Sequence, residues 1–112
     1  MEIKTVYPEK LDQRSVYKMV KSAEVQKMID AVGSELEVVS YVIYDDVDAK
    51  TGETKEVVTI VTADGEMFGT ISPTFIREFK DIINYFDGDA GNIKVITGTS
   101  KSGREFITCS VA

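Results

Sequence analysis

The stretch Ser72–Phe86 constrains this chain more than any other. Phe75, Ile76, Phe79, Ile82, Ile83 and Phe86 recur at steps of one, three, three, one and three. At about 3.6 residues per turn these six share one face of a helix. Thr74, Arg77, Glu78, Lys80, Asp81 and Asn84 fall on the other face. Ser72 is a capping residue, Pro73 suits the first helical position, and Gly88 stops the helix. Such a helix needs an apolar surface to lie on, and the stripe reads as core packing.

That surface is expected from five β-rich segments. Residues 36–47 and 55–63 are rich in β-branched and aromatic residues, and Asp48–Glu53 between them reads as a turn. Asp64-Gly65 marks a second turn, followed by a short strand over 67–71 in which Gly69 signals a bulge or a close backbone approach. After the helix come strands at 92–98 and 104–111, joined by the loop Thr99–Gly103. In the last strand Ile107, Cys109 and Val111 are the core side, with Phe106, Thr108 and Ser110 opposite. The order strand, strand, strand, helix, strand, strand is that of a five-stranded OB-type Greek-key barrel. An open α+β sheet covered by one helix has the same elements.

The division expected is residues 1–34 as an N-terminal arm and helical segment, and 35–112 as the OB-fold domain. Residues 1–11 show no clear period and read as a loose or docking arm. Val16, Met19, Val20, Ala23, Met28, Ile29 and Val32 give residues 12–32 a helical period, as one helix or as two divided at Ser22.

Composition removes several functions. The chain has no histidine and one cysteine, Cys109. Histidine-based triads, internal disulfides and structural zinc sites are therefore out of reach of a single chain. No apolar run is long enough for a membrane span or a signal peptide, and the expected location is cytoplasmic. The formal net charge is −6, which by itself disfavours nucleic acid. The charge is uneven, however. Residues 28–90 carry four bases and fourteen acids, whereas residues 91–112 carry three bases and one acid.

Gly98 to Gly103 has the spacing of two P-loop glycines, but Arg104-Glu105 stand where Lys and Ser or Thr are required, and a strand follows where a helix is needed. Asp45, Asp46, Asp48 and Glu53 crowd one hairpin without the spacing of a calcium loop, and read as a solvated acidic turn. No cofactor, metal or catalytic residue is expected. The remaining constellation is Lys94, Lys101, Arg104 and Phe106, cations beside an aromatic on the non-core side of the last two strands. Single-strand binders combine these two elements, cations along the backbone path and rings on which bases stack. Tyr41, Tyr44 and Phe68 are candidate extensions of the aromatic track. The face of the first strand is ambiguous, so both tyrosines read equally well as core.

The runs Gly69-Thr70-Ile71-Ser72-Pro73-Thr74-Phe75-Ile76-Arg77-Glu78-Phe79 and Gly98–Cys109 resemble small single-stranded DNA-binding proteins of phages and prophages of Gram-positive bacteria. The resemblance covers about residues 36–112. It implies an OB fold and cooperative, non-enzymatic coating of single-stranded DNA during phage DNA replication or recombination in the host cytoplasm, beside replication or recombination proteins. It points to Lys101, Arg104 and Phe106. The Met- and Val-rich stripe of the N-terminal helical segment reads as a surface for self-association or docking, and equally well as a cap on one end of the barrel. The flexible acidic tail of the housekeeping bacterial single-strand binders has no counterpart after the last strand. The competing expectation is a protein-interaction or virion-assembly module on the same scaffold, its acidic middle meeting a basic partner.

Overall fold

The computed structural model describes all residues, 1–112. It is mainly β, with seven strands and two α-helices. The strands are β1 Glu2–Tyr7, β2 Gln26–Lys27, β3 Glu35–Val47, β4 Thr54–Thr62, β5 Met67–Thr70, β6 Asn92–Thr99 and β7 Glu105–Val111. Helix α1 spans Gln13–Lys21 and α2 spans Pro73–Tyr85, while Met28–Ala31 forms a 3-10 turn. No helix is long and apolar enough to cross a membrane.

The sheet runs β2-β5-β4-β3-β6-β7, with β1 also paired to β3. It curls into a half-barrel. Closure would pair β5 with β7, but these edges stay apart, and β2 lies parallel on β5 instead. The expected five strands are therefore seven, and both additions come from residues 1–34. The chain opens with a strand, not with a loose arm or a helical segment: Tyr7 pairs with Tyr41 and Glu2 with Asp45. The helical period expected over 12–32 survives only to Lys21. Ser22 ends α1, and its hydroxyl accepts from the Glu24 amide at 3.0 Å, holding the next residues in a turn. Beyond it Met28 and Ala31 are buried, while Ile29 and Val32 are exposed.

Strand β3 is the spine. Leu36 and Val38 enter the main core, and then the register shifts between Val38 and Ser40. That extra residue moves the core positions from even to odd, so that Tyr41 and Ile43 face the same core. From Ser40 to Tyr44 both faces of β3 are covered. Tyr41 and Ile43 join Val58, Ile60 and Phe68 beneath α2. Val42 and Tyr44 pack with Met19 of α1, bordered by Val16, Val57 and Val61.

Helix α2 forms as its sequence requires. The Ser72 side chain accepts from the Phe75 amide, and Pro73 holds the first turn. Phe75, Ile76, Phe79, Ile82 and Ile83 are buried, each stabilising the fold by about 1.5–3 kcal/mol before the entropy of ordering is counted. Phe86 departs from the expected stripe. It caps the helix, leaves the helical path, and is exposed with its ring edge-on to Tyr85. The Thr74 hydroxyl donates to the Ile107 carbonyl at 2.7 Å, tying α2 to β7. On β7, Cys109 is buried, but Val111, expected on the core side, is exposed near the end of the strand.

One carboxylate joins three elements. Glu56 on β4 accepts from Lys4 of β1 and from Lys80 of α2, each at 2.6 Å. Burial alone would raise the Glu56 carboxyl, but the two lysines outweigh it and hold it below its ordinary value of 4.5. A depressed carboxyl contributes stability above the unfolded value and loses it as pH falls through the folded one. Glu56→Gln is therefore expected to lower the melting temperature at pH 7, with the difference from wild type shrinking below about pH 4.5. A thermal melt series across that range checks it.

Candidate functional site

On the α1 side of the sheet lies an apolar groove of about 680 Å³. This falls within the ~300–1,000 Å³ span of ligand clefts. Its floor is the outer face of β3, β4 and β5, where Tyr44, Val57, Thr59 and Gly69 stand. Met19 and Val20 of α1 and the segment Val25–Ile29 form one wall. Thr97 of β6 and Glu105, Phe106 and Ile107 of β7 form the other. The groove thus runs into the open seam between β5 and β7.

Gly69 makes the groove possible. A Cβ there would sit 3.0 Å from Val25 Cγ1 and 3.5 Å from Thr59 Oγ1. Where a bulge or a close backbone approach is expected, the register is unbroken and the neighbour that comes close is the Val25 side chain, in the wall above β5. Phe106 depends on a second glycine. Its ring lies over Gly98, directly opposite in the β6–β7 ladder, where a Cβ would meet Phe106 Cζ at 2.6 Å. The ring is therefore flattened against the strand pair and half-buried.

The loop before β7 is tightly folded. The Ser100 amide donates to the Arg104 carbonyl at 2.8 Å, the Gly103 amide to the Ser100 carbonyl at 2.9 Å, and Gly103 takes φ +86°. Lys101 and Arg104 are exposed here and pair with no carboxylate within 4.0 Å. They stand at the head of the strand whose next three residues line the groove.

The other sequence candidates separate. Lys94 is exposed on the same face of the hairpin as Phe106, but across from Glu35 of β3. Five residue steps along the strand, about 17 Å, separate it from Thr99. Tyr44 reaches the groove floor, 7% exposed, and burial pushes its phenol pKa up. Phe68 points to the opposite side, 5% exposed in the main core. Tyr41 is 1% exposed. Its hydroxyl donates to the Gly88 carbonyl at 2.7 Å, its ring stacks on Tyr7 and meets Phe79 edge-on, and burial pushes its pKa to about 12. Tyr41 and Phe68 present no ring face to a ligand.

Sequence reasoning missed the wall made by α1 and residues 25–29, including Lys27, because a helical reading of that stretch has no place on β5. The acidic hairpin is a folded turn. Asp48 Oδ1 accepts from the amides of Lys50 and Thr51. Among the lining residues Lys27 and Glu105 are the only charges, so the groove is neutral within an acidic chain. A neutral, apolar trough with Phe106 in its wall suits flat, weakly polar groups.

The framework is thus a curled, mainly β sheet whose groove has one tyrosine in its floor and one phenylalanine in its wall. The chain belongs to the family of phage single-stranded DNA-binding proteins of the Phi29 type, whose description as Phage Single-stranded DNA-binding protein matches residues 9–112. No curated protein and no solved structure matches the chain.

Proposed function

We propose that this protein binds single-stranded DNA, without catalysis, by seating bases in the groove between α1 and β7. The observation that carries the reading is the groove itself, neutral and apolar, with Tyr44 in its floor and Phe106 in its wall, in a chain of this family. Bases stack on aromatic faces with little regard to sequence. Lys101 and Arg104 meet the phosphates at the mouth. The order β3-β4-β5-α2-β6-β7 is that of an OB-type barrel left open at one seam, and the binding surface is the outer face of its second and third strands with the loop before the last. The role follows as coating of single strands during phage DNA replication or recombination in the bacterial cytoplasm, where self-association and contact with other replication proteins have their use.

Five tyrosines and no tryptophan make intrinsic tyrosine emission the natural readout. Titration with oligo-dT is expected to quench it, with an affinity that falls linearly in log salt. A duplex of equal length is expected to bind far more weakly. Equal affinity for both, or none for oligo-dT, would remove this reading.

A further inference from the structure

Helix α1 carries Arg14, Lys18 and Lys21 and no acid, in a chain whose net charge is −6. At about 100° per residue these three and Tyr17 fall within roughly 100° of one another on the helix surface. Met19, Val16 and Val20 occupy the opposite side, against the sheet and the groove. None of the three cations has a carboxylate within 4.0 Å, whereas Lys4, Arg77 and Lys80 are paired. Tyr17 is 67% exposed, and with Gln13, Arg14 and Lys18 it lines a shallow second cleft of about 320 Å³. A phenol ring held open among unpaired cations has the composition of the groove mouth at Phe106, repeated on the far side of the groove wall.

We infer that the outer face of α1 is a second contact for the same DNA strand: a strand leaving the groove crosses the α1 wall, its phosphates meet Arg14, Lys18 and Lys21, and one base stacks on Tyr17. This rests on the groove reading above. The partner is a polyanion with unstacked bases, because cations alone would serve any acidic surface and the exposed ring adds the second requirement. The contact lengthens the occluded site from the groove to the groove plus one helix face.

The test compares strands of about 4 and about 16 nucleotides, the limits of single-fold site sizes. Arg14→Gln/Lys18→Gln/Lys21→Gln is expected to bind the short strand as wild type does. On the long strand it is expected to lose about 10- to 100-fold in affinity at 0.1 M salt, and its salt slope to fall by about 2. Tyr17→Ala is expected to weaken only the long strand, by about fivefold or more, with Tyr17→Phe restoring it. Arg77→Gln, on α2 across the sheet, serves as the control that changes neither strand. An unaltered long-strand affinity and salt slope in the triple variant, with wild type still binding, would overturn the α1 contact and leave the groove standing. Loss of DNA-free self-association in that variant, with the slope unchanged, would assign the face to a second copy of the chain instead. Failure of wild type to bind either strand would overturn both readings.

Discussion

Tyr41→Ala is expected to destabilise the protein by about 5 kcal/mol and to lower its melting temperature by roughly 20 °C. Removing a buried aromatic ring costs about 3–5 kcal/mol, and taking the donor from a half-buried carbonyl adds about 1. Both apply here, since the ring fills the space between Tyr7 and Phe79 and the hydroxyl satisfies Gly88. For a chain of this size each kcal/mol shifts the midpoint by roughly 4 °C. Tyr41→Phe keeps the ring and is expected to cost only about 1 kcal/mol. It is also expected to bind oligo-dT as wild type does, because the face of Tyr41 is closed by Tyr7. Thermal melts with parallel titrations check both. A Tyr41→Phe chain that folds normally and binds poorly would return Tyr41 to the binding surface.

Phe106→Ala is expected to weaken oligo-dT binding by roughly 5- to 150-fold, the range of about 1–3 kcal/mol per stacked base. Its salt slope is expected to stay at the wild-type value, since no charge is lost. Lys101→Ala and Arg104→Ala are expected to do the reverse, with smaller losses and a slope reduced by about 0.7 for each phosphate contact given up. Titrations at several salt concentrations separate the two behaviours. A Phe106→Ala variant that remains folded by circular dichroism and keeps full affinity would show that the groove wall at β7 takes no base.

What could be read from the sequence depended on whether a residue's partner was near it in the chain. Helix α2 was legible because its cap, its first-turn proline and its stripe are all local. The β3–β4 and β6–β7 hairpins were legible for the same reason, and so was the face carrying Phe106. The outer strand β1 was not, since Glu2–Tyr7 becomes a strand only by pairing with residues of β3 far along the chain. Residues 26–31 carried apolar spacing that fits a helix, yet β5 offers an unpaired edge and Gly69 leaves room for Val25, so the segment lies down as strand and turn. The ambiguity of residues 36–47 has a physical cause. A bulge after Val38 reverses their alternation, and residues 40–44 are covered on both faces, so Tyr41 and Tyr44 looked alike while one went to the core and the other to the groove.

The position of β3 also bears on how the chain acquires its shape. One edge of this strand is shared by residues of β1 and β6, from near the two extremes of the sequence, and the other is taken by β4. A nascent chain that has not yet reached Asn92 leaves Glu35–Glu37 with no β6 partner, so the sheet cannot be completed until most of the polypeptide has emerged. Loops of that span must close before their contacts repay the entropy. Refolding therefore belongs to the millisecond-to-second class of proteins rich in non-local pairings, even though α2 is ready to form on its own local signals.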